Sequence, residues 1–123
     1  MRNNPVCWFE IYVQDMPRAK AFYEGVLGVT LEKLDSPGLE MWAFGMDPQQ
    51  VGAGGALVHM PGLPSGGNST LVYFACEDCA VEEARVAQFG GTVQRPKMSI
   101  GQYGFITLAL DTDGNMFGLY SQK

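Results

Sequence analysis

The chain has 123 residues, 46% of them hydrophobic and 17% charged, with a net charge of −5 at neutral pH. That balance fits one globular domain and excludes wholesale disorder, and eight basic against thirteen acidic residues leave no basic patch for a nucleic-acid backbone. Apolar runs of only a few residues exclude a membrane-spanning helix, and no apolar stretch near the start reads as a signal peptide.

The first strand is predicted over residues 6–13, with Cys7, Phe9, Ile11 and Val13 on one side and Trp8, Glu10 and Tyr12 on the other. Asp15 is placed to cap a helix, with Pro17 in the first turn, where its missing N–H costs nothing. Ala19, Phe22, Tyr23 and Val26 give that helix an apolar face, and Gly28 supplies the left-handed residue that ends it. Three strand candidates follow, at residues 30–34, 39–44 and 56–60. They are separated by Asp35-Ser36-Pro37-Gly38 and by Asp47-Pro48 with Gly52-Ala53-Gly54-Gly55. The glycine run is followed by neither Lys-Ser/Thr nor a helix, so it is not a phosphate loop. Residues 61–69, rich in Gly, Pro and Ser, read as a linker.

The pattern then begins again at an offset of 63 residues, so that residues 71–93 repeat the layout of residues 8–30. A strand over 71–76 places Val72, Phe74 and Cys76 on its packed side, and Asp78 caps a second helix carrying Val81, Ala84, Ala87 and Gln88. Gly90-Gly91 closes that helix, and strands are expected at 92–96, 103–110 and 116–121. Asp111-Thr112-Asp113-Gly114-Asn115 reads as a hairpin turn rather than a calcium loop, because the positions that follow do not carry the ligands such a loop needs. The expected class is α+β: two tandem βαβββ modules, residues 6–60 and 70–121, joined by 61–69 into a single two-module domain over 1–123. One module alone exposes an apolar sheet face, so two must pack together.

Three cysteines, Cys7, Cys76 and Cys79, are an odd set in a chain able to bury a core. Free thiols in a reducing cytoplasm are therefore expected. Cys76-Glu77-Asp78-Cys79 matches C-x-x-C, but the alternation of its strand puts Cys76 on the core side, which argues against a redox pair.

Phe9-Glu10-Ile11-Tyr12-Val13-x-Asp15, the helix motif Arg18-Ala19-x-Ala21-Phe22-Tyr23-x-x-Val26-Leu27-Gly28, and Asp111-x-Asp113-Gly114-Asn115 occur in that order. With the internal repeat, they make the chain resemble the vicinal oxygen chelate superfamily, also called the glyoxalase/bleomycin-resistance/dioxygenase superfamily, and within it the small proteins described as glyoxalase-related or lactoylglutathione lyase-like. The resemblance implies curved mixed sheets around a cavity, a small-molecule ligand inside it and a homodimer. It also implies four His or Glu metal ligands in the metal-dependent members. The matching positions here are Trp8, Leu71, Gly118 and a residue among 56–58, which are indole, aliphatic or glycine. No bound metal or other cofactor is therefore expected.

If Phe9, Ile11 and Val13 pack under the helix, then Trp8, Glu10 and Tyr12 face the cavity, as do Tyr73 and Tyr120 in the second module. Trp42, Phe44, Leu57 and His59 are further candidates for that face. Glu10 is the candidate catalytic or cation-binding group, since burial among aromatics would raise its pKa by desolvation and make its carboxylate a stronger base. Trp8, Tyr12, Trp42, His59, Tyr73 and Tyr120 are the candidate ligand contacts. Three readings follow: a metal-free protein that binds an aromatic or cationic molecule, a glyoxalase-like lyase or isomerase using Glu10 as base, and a scaffold whose cavity is closed by side chains.

Overall fold

The computed structural model describes residues 4–66, 70–112 and 114–123. The predicted linker residues 67–69 and Asp113 of the predicted hairpin lie outside the described residues. In chain order the elements are β1 (Val6–Tyr12), α1 (Met16–Leu27), β2 (Glu32–Leu34), β3 (Glu40–Ala43), β4 (Gly54–His59), β5 (Thr70–Ala75), α2 (Cys79–Val86), β6 (Thr92–Ser99), β7 (Phe105–Leu110) and β8 (Met116–Ser121). The class is α+β. The chain divides into two compact units, residues 8–71 and residues 72–123 with the opening of β1 up to Cys7.

In the first unit the strand order is β2-β3-β4-β1, with β1 parallel to β4 and the other pairs antiparallel. Asp15 caps α1 by accepting from the Arg18 N–H at 3.1 Å, and Gly28 ends the helix at φ 68°, as its sequence requires. The core beneath the helix is Met16, Leu31 and Leu57, with Ile11, Val13, Ala19, Tyr23, Trp42 and Phe44 packed around it. The helix face differs from the expected one. Met16, Ala19 and Tyr23 form the packed stripe, whereas Phe22 and Val26 lie on a flanking stripe and are 59% and 65% exposed.

Strand ends moved for local reasons. β2 is confined to Glu32–Leu34 because the Leu31 N–H is taken by the Glu24 carboxylate at 2.9 Å. β4 begins at Gly54, inside the run read as a turn, because that run pairs in parallel with Trp8 and Phe9. Gly55 is needed there: a Cβ would fall 2.5 Å from the Phe9 ring, which packs on Phe44 with ring centroids 5.5 Å apart.

In the second unit the order is β5-β8-β7-β6, with β5 parallel to β8 and the remaining pairs antiparallel. β6 runs through Pro96 to Ser99, beyond its expected end at 96, by means of two register shifts against β7. Proline is tolerated at such an edge. Residues 101–103 form a short 3-10 helix, so β7 starts at Phe105 rather than 103. The packing of α2 is more polar than expected. Val81, Ala84 and Ala87 face solvent, while Cys79 is fully buried and the Glu83 carboxylate accepts from Thr107 Oγ1 at 2.8 Å and the Lys97 N–H at 2.6 Å. Ser121 Oγ accepts from the Cys79 N–H at 2.9 Å.

Gly55→Ala is expected to force the Phe9 ring off its site and to lower stability by about 1–3 kcal/mol, the usual cost of overpacking. A urea unfolding midpoint equal to that of the wild type would contradict this account of the glycine.

Candidate functional site

Because Ile11 and Val13 pack beneath α1, the alternation of β1 sends Trp8, Glu10 and Tyr12 to the opposite face of the same sheet. Residues two apart on one face stand about 7 Å apart, within reach of long side chains. Glu10 is buried at 9% exposure. Its Oε1 accepts from the Tyr12 hydroxyl at 2.8 Å, and its Oε2 accepts from the Trp8 indole N–H at 3.2 Å. Across the ladder Glu10 is registered with Ala56, and Ala56 with Ala43, both fully buried and small. The result is a carboxylate between two aromatic donors on an otherwise apolar strip. The Tyr12 hydroxyl is pushed above its ordinary value, by burial first and then by the charge and hydrogen bond of Glu10. It therefore stays protonated and keeps donating.

Trp42 does not join this group. It is registered with Leu57, which is registered with Ile11, so its ring lies on the helix side. There its N–H donates to Glu40 at 2.9 Å and the Lys20 ammonium sits 3.3 Å from the ring centroid, a cation–π contact on the helix-side surface. Phe44 and Leu57 share that side. His59 ends β4 with Nδ1 3.0 Å from the Val13 carbonyl, a strand-end contact. In the second unit, Tyr73 and Tyr120 alternate with Phe74, Leu119 and Ser121 and so lie on the face away from α2. Tyr73 is buried with its ring directly against Gly118, where no Cβ could fit, and the Tyr120 hydroxyl donates to the Tyr103 carbonyl. Gly54 is a neighbour that the sequence reading missed: a Cβ there would lie 3.4 Å from the Trp8 ring. Its only sequence signal is a glycine at a strand start.

The residues present do not fit a metal. Among the described residues no group of three His, Cys, Asp or Glu side chains is placed to hold one. Of the matching positions, Trp8 donates its N–H to Glu10, Leu71 is buried, Gly118 lies under Tyr73, and Leu57 is in the core. None offers a lone pair to a divalent ion. The C-x-x-C pair is equally unsuited to thiolate chemistry. Cys79 is buried, and the Cys76 thiol is pushed up to about 12, by burial and then by the charge of Glu82.

The family description "Glyoxalase/Bleomycin resistance protein/Dioxygenase superfamily" matches residues 6–119. The chain belongs to this superfamily. Among curated relatives, "Putative glyoxylase CFP32" of Mycobacterium bovis is 30% identical over 118 residues, covering 91% of this chain. The chain spans 42% of that relative's length. Among solved structures, a hypothetical protein from Bacillus halodurans has a TM-score of 0.75 at 12% identity, covering 99% of this chain and 96% of its own. A variant of Streptomyces coelicolor methylmalonyl-CoA epimerase, in complex with 2-nitronate-propionyl-CoA, has a TM-score of 0.69 at 16% identity, covering 96% of each chain. These likenesses fix the glyoxalase fold. Among the described residues no helix is long and apolar enough to cross a membrane.

Two measurements check the electrostatics. In an ultraviolet titration, Tyr12 is expected to stay protonated well past its ordinary pKa of 10.0 while the protein is folded. Tyr12→Phe should then remove a late-ionising component, and a high-pH limb identical to the wild type would contradict the assignment. Cys76, titrating at about 12 against an ordinary 9.0, should react with iodoacetamide at pH 8 at least roughly thirtyfold more slowly than an exposed cysteine. Because the unfolded chain loses this proton first, the thiol's contribution to stability is present below pH 9 and lost as pH rises toward 12.

Proposed function

We propose that this superfamily member is a small-molecule binding protein that holds a cationic, partly aromatic ligand at Glu10 without a metal. The observation that carries the reading is the buried Glu10 carboxylate held between the Trp8 and Tyr12 donors. A buried carboxylate is costly to keep in a purely structural strand. Charge, aromatic rings and an apolar strip together suit a planar or quaternary ammonium ion. Trp42 and His59 are not proposed as ligand contacts, since the one is covered by Lys20 and the other is held at the strand end.

A second reading, a glyoxalase-like lyase or isomerase with Glu10 as general base, draws on the same carboxylate and on the persistently protonated Tyr12 hydroxyl that donates to it. Failure to turn over the hemithioacetal of methylglyoxal and glutathione would remove its lactoylglutathione lyase-type form. The chain is further proposed to act as one two-module domain and as a homodimer, supported by the exposed Phe22, Val26 and Leu27 of α1. A cytoplasmic setting is supported by the three free cysteines, and the absence of a nucleic-acid partner by the net charge of −5.

Trimethylphenylammonium, followed by tryptophan fluorescence, tests the binding reading. The wild type should bind it, and Glu10→Gln should weaken binding by roughly tenfold or more, the scale of a lost charge-assisted contact. Equal affinity in a folded Glu10→Gln protein would sink the proposal.

A further inference from the structure

The outer side of α1 carries an apolar stripe open to solvent. Phe22 and Val26 stand one turn apart at 59% and 65% exposure, and Leu27 and Val29 extend the stripe past the helix end at 55% and 40%. The Phe22 ring is held from below: it meets the Tyr23 ring edge-on with centroids 5.1 Å apart, and Tyr23 packs on the core of the unit. An aromatic ring supported beneath and bare above is suited to anchor an interface.

Gly25 lies beside this stripe, three residues after Phe22. Glycine inside a helix weakens it relative to alanine, so its presence calls for a cause. Its φ is not positive, and nothing outside its own helix backbone and chain neighbours lies within 4 Å of where a Cβ would stand. Packing within the chain therefore does not account for this glycine, whereas the close approach of another molecule does. A second asymmetry is electrostatic. α1 has no acidic side chain in its first turn and no basic one in its last, and the exposed Arg18 sits in the first turn. The helix macrodipole favours the reverse arrangement. The Arg18 guanidinium has no ion pair among the described residues, while Lys20 rests on the Trp42 ring.

We propose that this face of α1 binds the same face of a second copy of the chain, the two helices lying antiparallel across a twofold axis between residues 23 and 24. The proposal rests on the homodimer reading given above and names its contact surface. In that arrangement each Phe22 ring lies over the other copy's Gly25, where the missing Cβ lets ring and backbone meet. The same symmetry sets each Arg18 opposite the other copy's Val29, beside the last carbonyls of that helix, where a cation is favoured. Self-complementarity selects a second copy as the occupant. The stripe supplies both the aromatic knob and the glycine hole, and both the cation and the negative helix end. A helix of 12 residues is about 18 Å long. The paired stripes therefore bury less than the roughly 1,600 Å² of a standard interface, and the dimer is expected to be reversible.

The test is sedimentation of the wild type, Phe22→Ser, Gly25→Gln and Arg18→Gln over about 1–200 µM, each checked for folding by circular dichroism. The wild type should pass from monomer toward dimer across that range. Phe22→Ser should weaken association about tenfold or more, because one substitution removes two contacts across a twofold axis. Gly25→Gln should weaken it by as much, while the melting temperature of the dilute protein rises, since glutamine is the better helix former and has open space there. A merely structural role for Gly25 would not set those two readouts in opposition. Arg18→Gln should weaken association roughly three- to tenfold at low salt and leave it less sensitive to added salt than the wild type. Gly25→Gln keeps the test in force should Phe22→Ser fail to fold. A wild type that stays monomeric throughout would overturn both this proposal and the homodimer reading. A dimer unchanged in folded Phe22→Ser and Gly25→Gln would overturn this face alone and leave the homodimer reading standing.

Discussion

Ile11 packs around the Met16, Leu31 and Leu57 cluster beneath α1, and a strand cannot present that side chain to one face without presenting Glu10 to the other. A one-residue slip of β1 would exchange the two sets, placing a carboxylate in the helix-side core and leaving Ile11 on the opposite face. The apolar packing of the first unit and the placement of its one buried carboxylate among the described residues are therefore a single constraint. The register with β4 carries the same constraint sideways, setting Ala56 beside Glu10 and Leu57 beside Ile11.

Much of this was legible in the sequence because it depends on short-range rules. The Asp15 cap, the Gly28 stop and the alternation of β1 are decided by residues within a few positions of one another. Trp42 was not legible. The face of a four-residue strand is set by its register with β4, and the intervening ten-residue connection carries no parity signal. The start of β4 was misread for a related reason: glycines that signal a turn in isolation were there to admit the Phe9 and Trp8 rings from the neighbouring strand. Glu24 shortens β2 by capturing the Leu31 N–H, a contact seven residues apart that no periodicity announces.

The two units reach the same βαβββ layout by different packing chemistry. α1 is held by Met16, Ala19 and Tyr23 over an apolar cluster. α2 is held by Cys79 and by Glu83, whose carboxylate meets a buried Thr107 hydroxyl. A search for apolar spacing finds the first and misjudges the second, since its inward residues include a glutamate. Such a polar anchor is directional, and removing one partner leaves the other buried and unsatisfied.

β6 is the last strand in the order of its unit, and it is the strand with two register shifts around Pro96. Its outer rim lacks one amide hydrogen at the proline, its spacing is uneven, and Lys97 follows. A strand from another molecule therefore has no regular ladder to join there. Sheet extension from this edge, with its aggregation hazard, is therefore disfavoured.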